Sequence, residues 1–111
     1  MSAEERRRAE RRPVDMAGVM FLSAGRIVDV RIKNLGGLGA LVQVGDLEEA
    51  VFEGERAVLE HPVIGENGEQ GDSVRSTGSI VRVELEFLNE GVMRQLAVYF
   101  DGGPLPEGYE T

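Results

Sequence analysis

Residues 80–100 read IVRVELEFLNEGVMRQLAVYF and include the longest strand-like run of the chain. Over Ile80–Leu88, apolar side chains alternate with charged ones, which is the period of a strand that buries one face. Asn89–Gly91 has the composition of a tight turn, and Gln95–Phe100 returns as the run QLAVYF. Two such runs joined by a short polar turn predict an antiparallel β-hairpin.

The same alternation predicts further strands upstream of this hairpin. The clearest is GRIVDVRIK at Gly25–Lys33, where Val28, Val30 and Ile32 share one face. Shorter or weaker runs lie at Val14–Phe21, Leu41–Val44 and Ala57–Glu60. Five or six short antiparallel strands around one modest core predict an all-β fold, a closed or nearly closed barrel. A two-sheet sandwich is the alternative that the pattern leaves open.

Other segments do not have the pattern of strands. Ser2–Arg12 has a capping-box spacing but is too short for a stable isolated helix, so it is predicted to be a mobile arm. Asp46–Gly54 is acidic and is predicted to hold a helical turn, and Gly65–Gly78 to form a long, mobile hairpin loop. The predicted organisation is one domain, with residues 1–13 as a flexible basic arm, 14–103 as the β-barrel and 104–111 as a flexible tail.

Composition narrows the class of protein. The 111 residues include no cysteine, which excludes disulfides and zinc–thiolate sites. No apolar run approaches the roughly 20 residues that span a bilayer, and the charged N-terminus has no signal-peptide core, so a cytoplasmic location is predicted. Residues 1–13 carry five arginines against three glutamates, whereas the remainder carries seven basic and seventeen acidic residues. Such a body repels nucleic acid polymers, while the basic end can capture a small anion.

The first candidate binding motif is the arginine block RRRAERRP at residues 6–13. A guanidinium group presents a planar fork of donors that suits phosphates and the O6 and N7 edge of guanine. Arginines four residues apart can hold a ligand from two sides. The block alone is also compatible with a solvated charged terminus or with an arm that binds anionic lipid.

The second candidate is the glycine-rich sequence NLGGLG at Asn34–Gly39, which joins two predicted strands. Three glycines in four positions allow positive φ and a close approach of a ligand to the backbone. Asn34 can donate and accept hydrogen bonds. The sequence is neither a Walker loop nor a dinucleotide fingerprint. A plain glycine-rich β-turn is the alternative interpretation.

Together the two motifs resemble those of the PilZ domain family of bacterial signalling proteins. Arg7–Arg11 fits the family's RxxxR motif and is followed by the family-like sequence Pro13-Val14-Asp15. Asn34–Gly39 fits its [D/N]xSxxG motif, except that Gly36 stands where the family has serine. Gly78–Val83 and Leu96–Phe100 look like the family's last two barrel strands, so the resemblance covers about residues 5–101.

The resemblance implies a six-stranded barrel that binds cyclic di-GMP, often as an intercalated dimer, and relays the signal to an effector protein. Arg7 and Arg11 would bind phosphates and guanine edges, with Arg8 and its partner Arg12 as the alternative register. Asn34 would hydrogen-bond a guanine, Gly36 would replace a ligand-binding hydroxyl, and Gly39 would leave room for the ligand. Binding would order the arm over the barrel. Some family members do not bind the nucleotide and act as protein adaptors, which is the alternative function.

Nothing in the sequence favours an enzyme. His61 is the single histidine, and no nucleophile or carboxylate stands at a spacing typical of catalysis. We therefore predict a binding protein without catalytic residues, metal or cofactor.

Overall fold

The computed structural model describes residues 12–45, 51–64, 69–89 and 91–109. They form six strands and one 3₁₀ turn: β1 Arg12–Phe21, the turn Ser23–Gly25, β2 Ile27–Leu35, β3 Gly39–Val44, β4 Arg56–Ile64, β5 Gln70–Leu88 and β6 Gly91–Phe100. The strands pair antiparallel in the order β1-β2-β3-β6-β5-β4, and β1 pairs with β4 to close the ring. The all-β fold of six antiparallel strands is confirmed, and a sandwich of two separate sheets is excluded.

The core lies inside the ring and follows the predicted alternation. In β2, Val28, Val30 and Ile32 are buried while the residues between them are exposed. Met20 and Leu59 from β1 and β4 are fully buried in the same cluster. Side chains from all six strands meet in one cluster, as a single closed sheet requires.

The predicted loop at Gly65–Gly78 is wrong over most of its length. β5 begins at Gln70 and pairs with β4 as far as the last residue of β4. Leu59 pairs with Ser76, for example, and Pro62 pairs with Ser73. Residues 70–75 are exposed on both faces, so they show no alternation of apolar and polar side chains. Residues 65–68 of this segment lie outside the described residues.

The predicted amphipathic strand at Ile80–Leu88 is also altered. A bulge between Ile80 and Arg82 leaves Ile80 in the core but exposes 52% of Val81. Further along, the β5–β6 hairpin extends past the end of β3, whose last residue pairs with Arg94. Leu85 lies level with that last residue and Phe87 and Val92 lie beyond it, and all three are exposed.

The end of the chain packs against the ring. Arg56 Nε donates to the carbonyl oxygen of Pro104 at 2.8 Å, and the amide of Ala24 donates to that of Glu107 at 2.7 Å. The ring of Tyr109 meets that of Phe21 edge-on at 5.5 Å between centroids. The sequence predicts a flexible tail at residues 104–111, whereas Pro104, Glu107 and Tyr109 contact the ring. A segment rich in proline and glycine has no hydrophobic period from which such contacts could be predicted.

Two other predicted segments are described only in part. The arm at Ser2–Arg12 lies outside the described residues except for Arg12, which begins β1, so the strand starts two residues before the predicted boundary. In the acidic segment Asp46–Gly54, residues 51–54 are described: Val51 is buried in the core, and Glu53–Gly54 forms a turn. Within the described part of the chain, no helix is long and apolar enough to cross a membrane.

Candidate functional site

The start of β1 lies directly beside the end of β2. Arg12 pairs with Leu35, and Pro13 pairs with Asn34. Arg12 and Pro13, the last two residues of the arginine block, therefore lie beside the end of β2, and Pro13 lies opposite Asn34, the first residue of the glycine-rich sequence. Arg7, Arg8 and Arg11 themselves lie outside the described residues.

The glycine-rich loop between β2 and β3 is short and closed by the backbone. The amide of Gly36 donates to the carbonyl oxygen of Gly39 at 2.9 Å, and the amide of Phe100 donates to that of Leu38 at 2.8 Å. Asn34 is half-buried at the end of β2. The described glycines with positive φ lie elsewhere: Gly25, Gly54, Gly91, Gly102 and Gly108.

Gly39 has a packing reason for lacking a side chain. It pairs with Tyr99, and a Cβ built on it would lie less than 3.0 Å from the carbonyl oxygen of Val98, a separation that real Cβ atoms do not adopt. The neighbouring strand thus fills the space that a side chain would need. The structure assigns this glycine to the pairing of β3 with β6, whereas the sequence resemblance implied room for a ligand.

A shallow cavity of about 240 Å³ opens on the outer surface beside this loop. Its aromatic wall is Tyr99, which is 48% exposed, and Leu38 and Val81 contribute exposed apolar surface. Such a surface can receive the flat face of a base. Sequence reasoning missed Tyr99 because an aromatic residue in an alternating strand is ordinarily a core residue; only its exposure distinguishes it. The remaining lining residues are Gly39, Ala40, Ala97 and Val98.

Two bulges meet at Lys33, near the end of β2 and just before the glycine-rich loop. One lies in the β1–β2 pairing between Pro13 and Met16, and the other in the β2–β3 pairing between Ile32 and Asn34. The strict alternation of β2 breaks here, so that Lys33 and Asn34 are both half-buried. Bulges redirect side chains and are frequent beside binding sites.

Asp15 faces Lys33 and Arg31 across the β1–β2 pair. Its Oδ1 accepts from Arg31 Nε at 2.5 Å and from Lys33 Nζ at 3.4 Å. The hydrogen bond from Arg31 is the main cause that lowers the pKa of Asp15 to about 2, with the bond from Lys33 adding to it. These three residues were not among the predicted site residues; the only signal in the sequence is their charge on the polar face of β1 and β2.

His61 is buried inside the opposite side of the ring, between β4 and β5. Its Nδ1 lies 3.0 Å from the carbonyl oxygen of Pro62, and its Nε2 lies 2.9 Å from Ser76 Oγ. A carbonyl only accepts, so the neutral ring carries its proton on Nδ1 and accepts the serine hydroxyl at Nε2. The ring also stacks on Phe100 at 5.9 Å. Both ring nitrogens thus have partners, one within β4 and one on β5. Among the described residues, no group of three or more His, Cys, Asp or Glu side chains could hold a metal ion.

No known protein-family model matches the chain, and no curated protein matches it.

Proposed function

We propose that this chain is a PilZ-like receptor that binds cyclic di-GMP and relays its presence to a partner protein. The observation that carries the proposal is the pairing of Pro13 with Asn34. It brings Pro13, the last residue of the arginine block, beside Asn34, the first residue of the NLGGLG sequence. In the proposed site, the arginines that precede Pro13 and the NLGGLG sequence contribute to one surface.

The chemistry of this surface suits a cyclic dinucleotide. Cyclic di-GMP carries two phosphodiesters and two guanines, so it needs cations, guanine-edge donors and stacking surface in one place. The arginines at 7, 8 and 11 supply planar donor forks, and Asn34 supplies an amide at the strand end. Tyr99 offers an exposed ring on the other side of the loop. The excess of acidic residues over the rest of the chain disfavours long nucleic acids as competitors.

The decisive experiment is calorimetric titration of the whole chain with cyclic di-GMP, at low and at physiological salt. Saturable binding that is lost in the double variant Arg7→Ala/Arg11→Ala supports the proposal. Arg6→Ala is the matched control, because it removes one charge from the same block but has Glu10, not arginine, four residues on. Arg8→Ala/Arg12→Ala decides the register of the pair. Absence of heat from the parent at both salts would overturn the receptor function.

A second function is favoured by two specific observations. Gly36 replaces the serine of the resembled motif, which removes a hydroxyl from the loop. Leu85 and Phe87 are 58% and 76% exposed on the hairpin that projects past β3, and exposed apolar patches mark interaction surfaces. An adaptor that does not bind the nucleotide would use such a surface for its partner. It would capture the same partner in the presence and absence of cyclic di-GMP, whereas a receptor would change its capture when the nucleotide is added.

A further inference from the structure

Lys33 and Arg31 share one carboxylate, and they share it unequally. Arg31 Nε lies 2.5 Å from Asp15 Oδ1, whereas Lys33 Nζ lies 3.4 Å from the same oxygen. All three side chains are at least one-third exposed. The other carboxylate on this face of β2 is Asp29, and Arg31 lies between it and Lys33 along the strand. Lys33 therefore has the weaker of the two ion pairs with Asp15, and along β2 it lies at the end away from Asp29.

The two bulges place this cation at the candidate site. The extra residue in β2 interrupts the alternation, so that the consecutive residues Lys33 and Asn34 are both half-buried between the buried Ile32 and Leu35. Asn34 in turn pairs with Pro13, the last residue of the arginine block. A ligand bound at Asn34 and Pro13 would therefore lie next to Lys33.

We infer that Lys33 is a phosphate-binding residue of this site, and that Asp15 holds Lys33 and Arg31 as an internal competitor that an incoming phosphate displaces. The identity of the phosphate as part of cyclic di-GMP rests on the proposed function. An exposed ion pair contributes little to stability, so its exchange for a phosphate costs little. A phosphate offers more acceptor oxygens than one carboxylate, and the ammonium has three donors to give them. Asp15 also repels the phosphate directly, so it weakens binding in two ways.

The test is a double-variant cycle titrated calorimetrically with cyclic di-GMP. Lys33→Met keeps the apolar stem and removes the charge, and it should weaken binding roughly tenfold, as loss of a charge-assisted hydrogen bond does. Asp15→Asn should tighten binding several-fold and make it more sensitive to salt. In the Lys33→Met background the gain from Asp15→Asn should shrink, because the residue that Asp15 restrains is gone. Thermal unfolding of each variant verifies that the fold is kept.

The control is Glu84→Gln, which removes one negative charge from an exposed ion pair with Arg82 on β5, away from Lys33. It should leave affinity unchanged. An equal gain from Glu84→Gln, or a gain from Asp15→Asn that is undiminished without Lys33, would show that only the overall charge matters, and would overturn the inference.

A second titration, with inorganic pyrophosphate, separates this inference from the proposed function. If the parent and Asp15→Asn both fail to bind cyclic di-GMP, the receptor function fails. Binding of pyrophosphate by Asp15→Asn that is lost on adding Lys33→Met would still establish the phosphate site. Failure of all variants to bind either probe would overturn both.

Discussion

The carbonyl oxygen of Val98 occupies the space that a side chain on Gly39 would need. Both residues belong to strands that pair in the ring, so the contact is between two backbones and cannot be relieved by a change of rotamer. Gly39→Ala should therefore destabilise the protein by about 1–3 kcal/mol, the usual cost of overpacking, as measured by urea unfolding.

Gly37→Ala is the control for that substitution. Gly37 lies in the same loop, and a Cβ built on it meets nothing within 4 Å. Its replacement should change the free energy of unfolding by less than about 1 kcal/mol. If Gly39→Ala were as stable as Gly37→Ala, the pairing of β3 with β6 would not depend on the missing side chain. If Gly39→Ala then also lost nucleotide binding, the absence of a side chain at this position would be required by the ligand and not by the fold.

The strands that sequence reasoning located are those with one buried face. β2 was recognised because Val28, Val30 and Ile32 alternate with charged residues over the length of the strand. The first part of β5 was missed because it is exposed on both faces and is held by pairing with β4, which leaves no hydrophobic period. The bulge that exposes Val81 was missed for a related reason, since one inserted residue reverses the face of those that precede it.

The candidate site was predictable only in part. Asn34 and the arginine block were singled out by residue type and spacing, and the pairing of Pro13 with Asn34 brings the last residue of the block beside the glycine-rich sequence. Tyr99, Lys33 and Asp15 were not, because their importance depends on exposure and on which strands are neighbours in the closed ring. Such information is tertiary, and no local pattern contains it.

Gly36→Ser should leave the affinity for cyclic di-GMP unchanged or tighten it by up to about tenfold, the value of one hydrogen bond. The amide of Gly36 already closes the loop onto Gly39, so the added hydroxyl would extend from an ordered backbone. Calorimetric titration measures the change. A marked loss of affinity without a loss of stability would mean that this loop is not placed as the resemblance to the PilZ family implies.

Arg11→Lys should weaken nucleotide binding by about tenfold or more although it preserves the charge. A lysine ammonium is a point charge and cannot reproduce the planar fork that pairs with a phosphate or a guanine edge. Arg6→Lys is the matched control in the same arginine block and should bind like the parent. Equal affinities for Arg11→Lys and the parent would rule out a bidentate role for Arg11.

Tyr99→Leu should lower the affinity for cyclic di-GMP roughly tenfold, because stacking of a base on an aromatic ring is lost while apolar bulk is kept. The chain's other tyrosine provides the control. Tyr109 packs on Phe21 and accepts a hydrogen bond from Arg75, so Tyr109→Leu should reduce stability and spare binding. If the two variants bound alike, the cavity beside the loop would not be the base-binding surface.

The pairing of Arg56 with Asp101 makes stability depend on pH. Nη1 and Nη2 donate to the two carboxylate oxygens at 2.7 and 2.8 Å, and these bonds, with one from Gly103, lower the pKa of Asp101 well below its usual range. A carboxyl group whose pKa is lower in the folded state stabilises the protein fully above its unfolded pKa of about 4. This contribution is lost as the pH falls through the folded pKa.

The urea concentration at the midpoint of unfolding should therefore decrease when the pH is lowered below about 4. Asp101→Asn should make the midpoint less dependent on pH and should lower it at neutral pH. Arg56→Met should lower the urea midpoint at neutral pH by about the same amount as Asp101→Asn. An unaltered pH profile in Asp101→Asn would mean that the pair does not contribute to acid sensitivity.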